Sequence, residues 1–277
     1  MVRSLLHWYA AHAGVVFAVT LAAAIAAERV AAIVRRRPLD VRSDVTSVLS
    51  GAWFLVTKAV LAKVVMLSLS VAVYERFRLF DLDLSSPFVW IGVFVLRDAI
   101  YYWVHRAEHR CRVLWASHLV HHSPDDIGFW TAVRVPWMEA LYKPWLGLWV
   151  PLLGFHPAAF VALDVVAAIA GQLQHTRLGR KRTWLDAVFV TPSAHRVHHG
   201  SNPEYLDKNF GAVFIMWDRL FGTYEPEVAL VRYGLVGGYS LSTPEQAFLG
   251  GYPRLVAAVR SLPTVRQRAR FLLARPA

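Results

Sequence analysis

Nine of the twelve histidines stand in four places: His105 with His109; His118 with His121 and His122; His175; and His195 with His198 and His199. The spacings read H-x-x-x-H once and H-x-x-H-H twice. On a helix, positions i, i+3 and i+4 share a face, so each cluster can direct two or three imidazoles at a common point. That is the geometry of metal ligation. His7, His12 and His156 belong to no cluster and are read as ordinary core or interfacial residues. The recurrence of spacing separates the other nine from them. A tetrahedral ion takes four ligands, so nine imidazoles imply at least two ions.

Imidazole suits zinc, copper and iron alike, so ligand softness does not choose the metal. The Glu and Glu-x-x-His patterns of carboxylate-bridged di-iron bundles are absent as a set. A two-metal hydrolase would add carboxylates to bridge the ions and act as base, and few stand within the clusters. The balance tilts toward oxygen chemistry. Neutral imidazoles leave the ions' charge uncompensated, which favours anionic oxygen ligands. Loaded with two electrons, such a site would bind dioxygen and attack an unactivated C–H bond. A metal-bound histidine usually donates its other ring N–H to a carboxylate or carbonyl. Asp98, seven residues before His105 and on the same helical face, is the expected orienting acid. Asp207 and Asn209, shortly after the last cluster, are further candidates, with turn formation as their plainer role.

The elements that carry these residues are apolar. Of 277 residues, 56% are hydrophobic and 18% charged. A soluble domain averages about 45–50% apolar and about 25% charged. The composition therefore predicts an all-α integral membrane protein. The apolar stretches give about four to five transmembrane or hairpin helices. The expected spans cover residues 10–34, 45–73 and 88–104. A helical hairpin is expected over 137–174, around the turn Gly154-Phe155-His156-Pro157. Lys58 and Lys63 lie inside the second stretch and must snorkel or face other helices. The net charge of +11 concentrates partly at 35–42 and in six arginines from Arg254 onward. By the positive-inside rule the 35–42 loop is cytoplasmic, and the third span and the hairpin then bring every cluster to that same side. The basic end reads equally as a helix on an anionic leaflet or as a disordered tail. Residues 223–250 read as mixed loop with short strands. The single cysteine, Cys111, excludes a disulfide framework and a cysteine-based zinc or iron–sulfur site.

Several motifs in order resemble one family. They are Tyr101-Tyr102-Trp103-Val104-His105-Arg106, His118-Leu119-Val120-His121-His122-Ser123, Gln174-His175-Thr176 and Thr191-Pro192-Ser193-Ala194-His195-Arg196-Val197-His198-His199-Gly200. The match continues through Asp207-Lys208-Asn209-Phe210-Gly211 and Trp217-Asp218-Arg219-Leu220-Phe221-Gly222-Thr223. Together they resemble the fatty acid hydroxylase/sterol desaturase superfamily over about residues 97–227. The resemblance implies a membrane-bound non-haem di-iron oxidoreductase that hydroxylates or desaturates a lipid with dioxygen and an external electron donor, its transmembrane helices carrying a cytosolic helical cap that holds a histidine-rich dimetal site. It implies that His105, His109, His118, His121, His122, His175, His195, His198 and His199 ligate the two irons. The run from Thr191 to Glu227 is most similar to the alkylglycerol monooxygenase branch and its bacterial relatives. After His122-Ser123 the chain departs from that branch, with Gly128 and Arg134-Val135-Pro136. The reductant stays open among a pterin, a ferredoxin and a cytochrome.

Domain expectations follow: 1–44 as an N-terminal transmembrane helix and basic loop, 45–250 as the transmembrane and catalytic domain, 251–277 as the basic tail. The partners are a lipid substrate, dioxygen, a separate electron donor and the membrane, with no nucleic acid. Two other readings stand beside this one. A zinc-dependent membrane hydrolase would act without oxygen. A metal transporter or sensor would string its ligands along a path at membrane mid-depth.

Overall fold

The computed structural model describes residues 2–36, 40–61, 67–179, 181, 183–237 and 239–276, without the side chains of 2–11, 13, 14, 17 and 67. Arg37, Pro38, Lys63 and the side chain of His7 lie outside the described residues. The chain is helical, with one isolated bridge, Phe189 to Phe214, and no strand among the described residues.

Helices α1 (Val2–Val34), α2 (Val41–Leu61), α3 (Leu67–Phe77) and α4 (Pro87–Arg110) lead to α5 (Arg112–His122). Short α6 (Phe129–Val133), α7 (Glu139–Leu146) and α8 (Trp149–Leu152) follow, then α9 (Pro157–Gln174) and α10 (Pro192–His198). The chain closes with α11 (Met216–Leu220), α12 (Pro244–Leu249), α13 (Tyr252–Arg260) and α14 (Val265–Leu273). Among the described residues three helices are long and apolar enough to cross a membrane: α2, α4 and α9. Of the stretch expected as a second span, 45–61 lies in α2 and 67–73 in α3, and 62–66 lie outside the described residues.

The first arm of the expected hairpin is not one helix. Pro144 lies inside α7, Gly147 follows it, and Pro151 lies inside α8, so the arm is divided into pieces of 8 and 4 residues. Proline removes an amide donor and clashes with the preceding turn, which breaks a continuous ladder. The turn itself falls where expected. Gly154 has φ +95°, and a Cβ there would lie 2.0 Å from the Phe80 carbonyl oxygen, so the turn admits only glycine.

Local signals start the helices that carry the clustered histidines. Pro87, Pro157 and Pro192 open α4, α9 and α10, where a missing N–H costs nothing. The Thr191 hydroxyl accepts from Ala194 N at the start of α10. Each of these helices also has an apolar anchorage. In α5, Leu119 and Val120 pack with Leu241 and Ala247; in α9, Ala167 packs with Ala212 and Val213; in α10, Ala194 packs with Val190 and Ile215.

The C-terminal residues are ordered helices seated on α5. Arg112 N donates to Ala274 O at 3.0 Å, the Arg112 guanidinium lies 4.2 Å from the Phe271 ring centre, and Gly251 N donates to Ala116 O at 2.7 Å. Residues 223–250, expected to include short strands, carry loop and α12 instead.

Candidate dimetal centre

The nine clustered histidines form two groups, each able to hold a metal ion. His105, His109, His118, His122 and His198 make the first; His121, His175, His195 and His199 make the second. Within each group the ring nitrogens lie within 4.8 Å of one another. All nine are buried except His121, which is half-buried. The groups abut, with His122 and His199 stacked at 4.4 Å between ring centres.

The division follows helix geometry more finely than the clusters suggest. Pairs at i and i+4 stay together: His105 with His109, His118 with His122, His195 with His199. The residue at i+3 crosses over, so His121 joins the second group and His198 the first. Neighbouring positions on a helix diverge by about 100°, which sends adjacent histidines to different points. Helices α5 and α10 therefore serve both groups, α4 only the first, and α9, through His175 just past its end, only the second.

Hydrogen bonds set the ring tautomers, and these say what belongs between the rings. His105 Nδ1 faces Phe210 O at 2.9 Å, and His118 Nδ1 faces Glu139 Oε1 at 2.8 Å. Facing acceptors, both Nδ1 atoms carry the proton, which leaves a bare lone pair on each Nε2. Yet the two Nε2 atoms stand 3.1 Å apart. The second group repeats this: His121 Nδ1 faces Arg134 O at 3.2 Å, His175 Nδ1 faces Gly171 O at 2.7 Å, and their Nε2 atoms are 3.1 Å apart. Lone pairs so opposed repel unless a cation draws them together. His109 Nε2 and His198 Nε2 are buried with no hydrogen-bond partner, as expected of atoms reserved for an ion. The all-nitrogen donor sets fit a transition metal in each group.

One loop orients much of the first group. Asp207 Oδ1 lies 3.7 Å from His109 Nδ1, Lys208 O accepts from His198 Nδ1 at 2.9 Å, and Phe210 O accepts from His105 Nδ1. Asp207 and Asn209 adopt φ of +58° and +54°, an alternation that turns successive groups of the loop inward. Asn209 is fully buried and holds the loop to its surroundings: its amide donates to Ala194 O and Glu225 O and its carbonyl accepts from Glu225 N. It touches no histidine ring by hydrogen bond and acts as a fastening.

Asp98 also differs from expectation. Its carboxylate accepts from Val213 N at 2.9 Å, Phe214 N at 3.1 Å and Trp217 Nε1 at 3.0 Å, and from no histidine. Being at the right helical phase for His105 was insufficient, because a carboxylate two turns away is outbid by three nearby donors. Besides Asp207 at His109, the acid that meets a histidine ring is Glu139, with Glu108 Oε2 at 3.5 Å from the same His118 nitrogen. Both were missed in the sequence. Glu108 was discoverable, since it stands between His105 and His109; Glu139 has no local signal. Arg134, 1% exposed, was also missed: it donates to Ser43 Oγ and Leu241 O while its own carbonyl receives His121. Arg196, between the last histidines, donates to Glu227 at 2.6 Å and to Thr176 O at 3.1 Å, fixing α10 to the chain beside His175.

Burial pushes the imidazoles outside the membrane-spanning helices down. His118 falls to about 3, His175 and His198 to about 4, and His121, His122, His195 and His199 lie well below the ordinary value. At pH 6.5, seven ordinary histidines would hold about half a proton each, and metal loading would expel about three to four. These seven are already neutral, so loading at pH 6.5 should expel almost none from them. Calorimetry in two buffers of different ionisation enthalpy checks this: the heats should agree, whereas a difference worth several protons per chain would contradict it. The sign for stability follows. Because the unfolded chain binds more protons below pH 6.5, the metal-free protein loses stability as pH falls from 6.5 toward 4.

Residues 90–223 match the fatty acid hydroxylase family. That segment, about half of the chain, is similar to the family. Among similar proteins, human alkylglycerol monooxygenase is 38% identical over 164 residues, covering 59% of the chain and 36% of the relative. The Xenopus tropicalis alkylglycerol monooxygenase is 33% identical over 76% of the chain and 47% of the relative. Ornithine lipid hydroxylase OlsE of Rhizobium tropici is 31% identical over 49% of the chain and 42% of the relative. The chain thus spans between about a third and a half of the length of these curated relatives. No solved structure matches it. With three helices among the described residues long and apolar enough to cross a bilayer, the chain is a membrane protein.

Proposed function

We propose that the protein is a membrane oxygenase that hydroxylates or desaturates a lipid C–H bond, using two irons held by the nine histidines. For hydroxylation the balance is R–H + O2 + 2e− + 2H+ giving R–OH + H2O, with the electrons from an external donor. The observation that carries this reading is the pair of abutting imidazole groups whose opposed lone pairs call for cations, in a chain similar to lipid monooxygenases and a lipid hydroxylase. Bound iron supplies the activation of dioxygen.

The chain's own residues supply the rest. Phe210, Lys208, Arg134 and Gly171 hold ring protons on Nδ1 with their carbonyls, which keeps each Nε2 free to bind. Water is kept from the ligands by the burial of eight of the nine rings. The half-buried ring of His121 marks the side from which a substrate chain approaches. The apolar faces of α2, α4 and α9 are left to the bilayer, so that a lipid reaches the centre laterally. The centre lies on the cytoplasmic side, and the arginines of α13 and α14 rest on that leaflet, close to where α4 ends at Arg110. Domain limits at 44 and 250 are retained in this reading, with 251–277 as the surface arm.

The test is oxygen dependence. Iron-loaded protein in lipid vesicles with a reductant should consume dioxygen in step with oxidation of a lipid. Lipid turnover that continues unchanged under argon would replace this reading with the hydrolase.

A further inference from the structure

Behind His118 lies a buried charge cluster that the chemistry above does not use. His118 Nδ1 donates to Glu139 Oε1 at 2.8 Å and has Glu108 Oε2 at 3.5 Å. Glu108 is fully buried and Glu139 is 4% exposed. Lys143, four residues after Glu139 on α7, reaches Glu139 Oε2 at 2.5 Å and Glu108 Oε1 at 3.1 Å, and the Tyr142 hydroxyl donates to Glu108. His118, Glu108 and Glu139 are close enough to hold an ion among themselves. The Lys143 ammonium already serves as their cation, so they are not a third metal position. Two carboxylates and one ammonium leave a net charge of −1 against the outer nitrogen of one ligand.

The second group has a different backing. Its His121 and His175 donate to main-chain carbonyls, which carry dipoles and no net charge. A carboxylate drawing on Nδ1–H makes an imidazole a stronger donor to its metal than a carbonyl does. Negative charge in a dry site also favours the more highly charged state of a nearby ion.

We propose that Glu108, Glu139 and Lys143 are positioning residues that make the two metal positions inequivalent, so that the iron of the first group is the more easily oxidised. This rests on the di-iron reading above. Lys143 keeps both carboxylates together where they would otherwise repel, and it sets the net charge that His118 feels. The triad thereby decides which iron gives up its electron first.

The test uses the full-length protein loaded anaerobically with 57Fe(II). Mössbauer spectra of the wild type should show two iron environments of equal area, and a redox titration should show two one-electron steps. In Glu139→Gln the amide oxygen still accepts from His118 while the charge is gone. The lower-potential step should rise so that the ferrous-to-ferric ratio at a fixed potential increases about tenfold, about 59 mV, with the other step unmoved. Glu108→Gln should move the same step in the same direction, which covers the case in which Glu139→Gln fails to fold. Two bound irons whose potentials stay put, or move together, would overturn the inequivalence alone. A protein that binds no iron would overturn the di-iron reading with it.

Discussion

Replacing His121 or His198 by alanine should reduce lipid turnover by about a thousandfold or more, equivalent to about 4 kcal/mol of lost transition-state stabilisation. The two variants should differ in what they bind. His121→Ala leaves three imidazoles in the second group and should shed that ion, retaining the other. His198→Ala leaves four imidazoles in the first group, enough for a tetrahedral set, and should weaken the ion tenfold or more without always losing it. Both should fail in catalysis, because the groups share α5 and α10 and abut through His122 and His199. His12→Ala, outside both groups, is the control. Metal analysis alongside turnover checks the pair, and normal turnover by both variants would sink the assignment of these histidines.

The second large effect is expected at Asp98. It is fully buried and accepts from three donors, two of them backbone amides of the segment that follows Phe210. From the other side, Asp218 accepts from Phe210 N at 2.7 Å and Gly211 N at 2.8 Å, and from the Thr223 hydroxyl. Between them the two aspartates fix the strand of chain whose Phe210 carbonyl orients His105. Asp98→Asn keeps the shape and places an NH2 against donors. Leaving buried donors unsatisfied costs about 1–3 kcal/mol each, so a loss of about 3 kcal/mol or more is expected, close to that of Asp98→Ala. Iron should also bind more weakly, through loss of the His105 orientation. Thermal unfolding and iron content check this, and an Asp98→Asn protein of full stability would show that the clamp does not matter.

These two cases mark what was legible in the residues. The nine histidines could be picked out because ligation demands a residue type and helices demand a spacing, and both are written in the chain. Their division into five and four was not read, although it follows from the same helical phase once i+4 partners are favoured over i+3. Asp98 was recognised as important for being an acid in an apolar helix, and given the wrong partner, because the donors it satisfies lie more than a hundred residues away. The carbonyls of Arg134, Gly171, Lys208 and Phe210 could not be read at all. Every residue has a carbonyl, so orientation by the main chain leaves no mark on composition. Three of the apolar runs hold helices long enough to cross a membrane, α2, α4 and α9, while the broken arm at α7 and α8 was overlooked despite Pro144 and Pro151 standing in it.

The central claim is that the nine imidazoles make two adjacent metal positions. Anaerobic titration of metal-free protein with Fe(II), followed by the iron's optical or Mössbauer signal, tests it most directly. The account predicts saturation at two irons per chain, in two environments of nitrogen ligation. Saturation at one iron per chain, with the second group empty and His121→Ala binding as much as the wild type, would contradict it.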